Sequence, residues 1–296
     1  MYLAHRTLAA VAALAILGGH ALAAEPSRQP DWVDLLDPEL GRWEKWIGVP
    51  HTSTPIEWDG KADDVTSDGR PLGLGNDPLG VFECRVVGGE PVLFVSGQIY
   101  GGLTTLEEFG DYHLRLQFRW GEKKWPPRVG LKRDSGLLLH CVGEHGAFWN
   151  VWMRCLECQI QEGDVGDFFP LAGTAARVPS VTVPGFKRPR FEPTAPRQPA
   201  GIVGHGPSTE APLGEWNTVD VYTIDDACVF AVNGVPNMVL HNTVQRTPDG
   251  DGWTPLTRGK LQIQSEGAEI QYRRIRLRAI EDWPDWLVAA LPTLGA

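Results

Sequence analysis

The stretch Cys155-Leu-Glu-Cys-Gln-Ile-Gln-Glu-Gly-Asp164 holds the residue types best suited to chemistry on a polyhydroxylated ligand. If extended, it projects Glu157, Gln159 and Gln161 from one face and Leu156, Cys158 and Ile160 from the other. The apolar face suits a core. The polar face offers a carboxylate flanked by amides. An amide supplies paired donor and acceptor atoms, and a carboxylate can move a proton. A solvated sheet face would carry the same residue types. Phe148-Trp149-Asn150-Val151-Trp152 precedes the row, and unbroken alternation would set Trp149 on the face of Glu157. A sugar ring packs its C–H face on an indole while its hydroxyls reach amides and carboxylates. Core packing accounts for most of the 12 Trp.

Further candidates stand nearby. Asp134-Ser-Gly leads into the apolar run that ends at His140. His140 is a proton carrier by its ordinary titration near neutrality, or else a hydrogen-bonded structural histidine. His145, in the Gly143-Glu-His-Gly146 turn, is its rival. Glu162, Asp164 and Asp167 cluster in a Gly-containing turn, with a spacing that matches no EF-hand loop. Glu266, in Gln264-Ser-Glu-Gly267, is a second carboxylate for the same side as Glu157. Cys155-Leu-Glu-Cys158 has the CxxC spacing but no second CxxC and no His pair beside it. With five Cys in all, an odd thiol is left over, and small buried strand residues are the simpler reading. No nucleophile-elbow Ser, phosphate loop or dinucleotide fingerprint occurs.

These side chains need strands to position them. Residues 24–80 are rich in turns. Period-two or apolar segments then follow at 81–87, 91–99, 112–120, 137–141, 148–161, 216–223, 228–235, 261–265 and 270–278. In 112–120, Leu114, Leu116 and Phe118 share one face, with His113, Arg115, Gln117 and Arg119 on the other. Asn233-Gly234 is a favoured hairpin turn. Strands at this spacing, without helices between them, predict an all-β antiparallel sandwich. Residues 184–212 interrupt the pattern with seven Pro and four Lys or Arg, which predicts a long ordered loop or lid inside one domain spanning 24–296. A short terminal helix is expected at 282–291.

Composition removes whole classes. Hydrophobic residues at 42% and charged residues at 22% exclude a disordered chain, a collagen and a multi-pass membrane protein. The net charge of −10 argues against nucleic acid or anionic lipid as partner. Residues 1–23 place His5 and Arg6 before an apolar run and Ala21-Leu-Ala23 after it, the pattern of a secretory signal peptide. The run is short for a membrane span. An exported, periplasmic or secreted chain with no membrane insertion after cleavage is the expectation.

The ordered set of motifs resembles the 3-keto-disaccharide hydrolase domain family. It comprises Glu39-Leu-Gly-Arg-Trp-Glu-Lys-Trp46, the run from Tyr100 to Trp120, Asp134-Ser-Gly-Leu-Leu-Leu-His140, Leu156-Glu-Cys-Gln-Ile160, Gly214-Glu-Trp-Asn217, Val232-Asn-Gly-Val235, Leu261-Gln-Ile-Gln-Ser-Glu-Gly267 and Arg273-Arg-Ile-Arg-Leu277. The resemblance implies a concanavalin A-like jelly-roll with a ligand groove on its concave face, and action on 3-keto glycosides. It maps Glu157 and Gln159 onto the family's Glu-x-Gln-Ile pattern. Asp134 stands where the family often has Asn, Cys158 where a branched apolar residue is usual, and the insertion at 184–212 is long.

A ketone at C3 acidifies the C2 proton, which favours elimination followed by hydration over direct displacement. That route needs a base, an acid for the leaving oxygen and a group on the enolate oxygen. Glu157 and His140 are the expected base and acid, in either order, with Arg119 or a bound divalent metal stabilising the oxyanion. Gln159, Trp149, Asp134 and Glu266 are the expected saccharide contacts. Two other readings stay open. Ordinary glycoside hydrolysis would pair Glu157 with Glu162 or Glu266. A lectin-like, non-catalytic carbohydrate-binding module would use the same fold.

Overall fold

Alternation builds the architecture. Leu114, Leu116 and Phe118 of the strand Tyr112–Lys124 are buried, as are Leu156, Cys158 and Ile160 of Arg154–Gln161. Both sets belong to one core cluster. Each strand therefore turns its apolar face inward, and two sheets close on that shared layer. The structure, a computed structural model, describes residues 31–295. The proposed signal peptide lies outside them.

The fold is a jelly-roll sandwich of two antiparallel sheets. A seven-stranded sheet runs, edge to edge, through Phe168–Leu171, Arg154–Gln161, Asp134–Val142, Lys260–Ser265, Gly101–Thr105, Trp43–Ile47 and Gly73–Leu74. The larger sheet is centred on Tyr112–Lys124, Asn217–Ile224 and Ala268–Ala279. The Asn233-Gly234 turn forms as expected, with φ of 50° and 81° at its two residues, the left-handed values a tight hairpin needs. The terminal helix is shorter than the pattern suggested, Asp285–Ala290. No helix among the described residues is long and apolar enough to cross a membrane.

Three expectations about elements change. The segment 148–161 is not one strand. Phe148 bridges to Trp152, Trp149 and Asn150 both take left-handed φ, and the strand begins only at Arg154. The insertion 184–212 contributes two short strands, Arg190–Phe191 and Arg197–Ala200, which pair with Thr174–Val181. Between Leu139 and Val142 the register with the neighbouring strand shifts, so His140 and Cys141 together oppose Cys155. This bulge puts His140 at φ 50° and reverses its direction.

The outer face of the seven-stranded sheet, turned away from the second sheet, is covered rather than bare. Val49, Ala62 and Val65 from the turn-rich N-terminal region and Val151, Trp152 and Met153 form a second cluster there with Tyr100, Leu138 and Cys155. Cys155 and Cys158 thus face opposite sides of their sheet.

Candidate functional site

Strand register lays out the polar face. Glu157 lies opposite Leu138, Leu138 opposite Gln262, Gln262 opposite Thr104, and Thr104 opposite Glu44. This row crosses the sheet on its outer face, and at about 4.8 Å per strand its ends are roughly 19 Å apart. A parallel row holds Gln159, Gly136, Gln264, Gly102 and Trp46. The glycines leave room for polar side chains. A Cβ on Gly136 would overlap Oε1 of both Gln264 and Glu157, and one on Gly102 would overlap the Gln262 amide.

The Glu157 end is a buried polar cluster. Arg128 forms ion pairs with Asp134 and, at 3.2 Å, with Glu266. Gln161 donates to Asp134, and Glu157 hydrogen-bonds Gln264. Burial pushes the Glu157 carboxyl well above the ordinary range, and the Glu266 charge adds to that; Gln264 and Arg128 only partly oppose it. Burial raises Glu266 to about 7 against the pull of Arg128. Burial and the Glu266 charge also raise the Tyr100 phenol. Arg128 Nε, Asp134 Oδ1 and Gln264 Oε1 are buried without a partner among the described residues. Burial thus displaces two neighbouring carboxyls upward beside one guanidinium.

The Glu44 end is open. A cleft of about 450 Å³ is lined by Glu44, Trp46, His145, Met153 and Lys260 among others. The Trp46 and His145 rings stack at 5.4 Å with an interplanar angle of 5°. Glu44 Oε1 accepts from Lys260 Nζ at 2.7 Å and lies 3.2 Å from His145 Nε2. Burial pushes Glu44 up, but its bonds to Lys260 and His145 outweigh burial and hold it below the usual value. An indole platform beside a carboxylate and an ammonium suits a saccharide ring and its hydroxyls.

The structure gathers Glu157, Gln159, Asp134 and Glu266 on one face. Other sequence candidates lie elsewhere. His140, turned by the bulge, packs its ring on Tyr112 at 5.8 Å, inside the core cluster, and its Nδ1 lies 3.2 Å from the Leu256 carbonyl. Desolvation there lowers it to about 4. Arg119 sits on the outer face of the opposite sheet, donating to Gln271 at 2.9 Å and capping the Trp216 ring. Glu162 is just past its strand, paired with Arg133 at 3.3 Å and roughly 16 Å along the chain from Glu157. Trp149 is 43% exposed and stacks on Phe148, because the turn at 148–152 breaks the parity that would have tied it to Glu157. Trp152 takes the place near the cluster instead, stacked on Tyr100 at 6.0 Å.

Arg128, Gln262, Gln264, Glu44, Trp46 and Lys260 were missed as site residues. The alternation in Trp43-Glu-Lys-Trp46 and Leu261-Gln-Ile-Gln264 could have marked four of them. Arg128, in a turn after two prolines, carries no such signal. As for a metal, no group of three or more His, Cys, Asp or Glu side chains among the described residues is arranged to hold one. Between Asp134 and Glu266 the cationic position belongs to the Arg128 guanidinium, so these residues do not fit a metal.

Solved structures with likeness to this chain include a proposed glycosyl hydrolase of Parabacteroides distasonis ATCC 8503, at 14% identity and TM-score 0.44, covering 84% of this chain and 100% of that one. The carbohydrate-binding module CBM66 of Bacillus subtilis is similar at 8% identity and TM-score 0.40, over 67% and 92% of the two chains. No curated protein matches the sequence. Residues 31–278 match the 3-keto-alpha-glucoside-1,2-lyase-like domain, and the chain belongs to that family.

Proposed function

We propose that this protein is an exported enzyme that cleaves 3-keto glycosides, by elimination followed by hydration, on the outer face of its seven-stranded sheet. Family membership supports a carbohydrate-related role. The observation that carries the chemistry is the Glu157–Glu266 pair around Arg128.

Contact with Arg128 supports Glu266 as the base, and Glu157, which burial and the Glu266 charge both push toward its protonated form, as the acid. Glu266 takes the proton from C2, and the C–H electrons enter the enolate of the C3 ketone. That transfer neutralises Glu266 and leaves the Arg128 charge facing the enolate oxygen. As the enolate collapses, the C1–O bond breaks and Glu157 protonates the departing oxygen. Water then adds across the C1–C2 double bond. His140, buried in the core, takes no part. The saccharide docks in the open cleft at Trp46, and the cover formed by Val151, Trp152 and Met153 moves off the sheet to admit the reacting ring.

A second reading has its own support. The cleft at Glu44 and Trp46 is open while the carboxyl pair is covered, an arrangement that would serve a carbohydrate-binding module. Purified protein incubated with 3-keto-glucosides and with their parent glucosides, with and without chelator, separates the readings. Aglycone released only from the keto substrates, with deuterium from heavy water at C2, supports elimination. Release from the parent glucosides as well points to ordinary hydrolysis. Calorimetric binding without release supports the module.

A further inference from the structure

Two of the five cysteines face each other at the base of the covering loop. In the strand Asp134–Val142, Leu138 lies on the outer face of the sheet and Leu139 in the core. Unbroken alternation would turn His140 outward and Cys141 inward. The bulge reverses both. Cys141 therefore joins Cys155 in the outer cluster, across from it on the next antiparallel strand. Residues so opposed have Cα atoms about 4.5–5.5 Å apart, inside the range that a disulfide spans. Burial pushes the Cys155 thiol up, and its hydrogen bond with the Cys141 thiol adds to that.

The other three cysteines cannot compete. Cys158 and Cys228 lie in the core cluster and Cys84 packs against it, so the sheet itself separates them from the pair. All five are free thiols in this structure. The way in is the open cleft beside Trp46, which Cys141 lines together with Met153 of the covering loop. Cys155 is fully buried.

We infer that Cys141 and Cys155 are a disulfide-forming pair that staples the two ends of the covering loop to the sheet. The residues between them, 142–154, carry His145, stacked on Trp46, and Val151, Trp152 and Met153 of the cover. One bond across the base restrains the cleft wall and the cover together. The oxidant is a low-molecular-weight disulfide. The Cys141 thiolate attacks one of its sulfurs, forming a mixed disulfide and expelling a first thiolate. The Cys155 thiolate then attacks the Cys141 sulfur and expels the second. The two cysteines give up two electrons and two protons, and the oxidant leaves as two thiols. The proposed export would bring the pair to a compartment where disulfides persist.

Glutathione disulfide is the probe. Incubation of the native chain with it, or refolding in its presence, should consume two of the five thiols counted in denaturant. Mass spectrometry of a digest should find residues 141 and 155 in linked peptides. Closing a loop of about 15 residues restricts the unfolded chain, so the melting temperature should rise by roughly 6–12 °C and fall back on treatment with dithiothreitol. Cys155→Ala should stop at the mixed disulfide on Cys141 and show no such rise. Five free thiols after both treatments, linkage of any other pair, or a melting temperature no higher than that of the reduced protein would overturn the inference.

Discussion

Glu157 and Gln264 bring their Oε1 atoms together over Gly136, in space that any other residue would fill with its own side chain. The acid is therefore positioned by a missing methyl group on the adjacent strand. The same contact links Glu157 to the strand that ends at Ser265, one residue before Glu266.

Gly136→Ala tests that placement directly. The added methyl must displace Glu157, Gln264 or the strand, an overpacking cost of about 1–3 kcal/mol. At about 2–4 °C per kcal/mol the melting temperature should fall by roughly 2–12 °C. Keto-glycoside cleavage should fall with it. A variant with native melting temperature and activity would show that the Glu157 position tolerates the methyl.

Glu157→Gln and Glu266→Gln should each lower turnover by about 10²–10⁴-fold while circular dichroism stays native. The pH profiles distinguish their roles. Wild-type turnover should rise through pH 7 as Glu266 becomes a base. It should decline at higher pH as Glu157 loses its proton. The glutamine at 266 should remove the rising limb, and an unchanged limb would assign the base elsewhere.

Stability should carry the signature of Glu266. Its carboxyl titrates near 4.5 when unfolded and at about 7 when folded, so the folded state holds the extra proton between those values. Stability is then highest at the acid side of the window and is lost as pH rises through it, on the order of 3 kcal/mol. In denaturant titrations from pH 4.5 to 8 the stability of the wild type relative to Glu266→Gln should fall by about that amount, because the other titrating groups act equally in both proteins.

His140 acts with the opposite sign. Its folded value is about 4 against 6.5 unfolded, so the unfolded chain binds the extra proton in between. Stability is present above 6.5 and is lost as pH falls toward 4, again by roughly 3 kcal/mol. His140→Gln should flatten that limb without affecting turnover beyond its effect on folding. If the variant abolished activity in a fully folded protein, His140 would need a catalytic role that its core position does not offer.

Trp46→Ala should weaken saccharide binding by about tenfold, as truncating an aromatic anchor does. Its indole also donates to the Asn150 carbonyl at 3.0 Å, which ties the platform to the covering loop. Isothermal titration with a 3-keto-glucoside measures it, and Trp46→Phe should restore most of the affinity. Unchanged affinity would move the docking site away from this cleft.

Much of the framework was legible in the chain itself. Alternation at Leu114, Leu116 and Phe118 and at Leu156, Cys158 and Ile160 fixes which faces must be buried, and burial of apolar surface does not depend on the partner's identity. The same alternation put Glu157 and Gln159 on the opposite face. It failed at Trp149 and His140 for one reason. Alternation holds only while the backbone stays extended, and a turn at 148–152 and a bulge at 140–141 reset it.

What sequence alone determined is which side chains share a face along one strand. Which strands become neighbours was decided by tertiary structure. Arg119 has the right parity on the wrong sheet, whereas Arg128, from an unmarked turn, reaches both Asp134 and Glu266. Period two encodes inside and outside, but the order of strands depends on long-range pairing and packing, which no local pattern records. The raised carboxyls follow from that arrangement, because burial by loops distant in sequence, and not the residue type, displaces their titration.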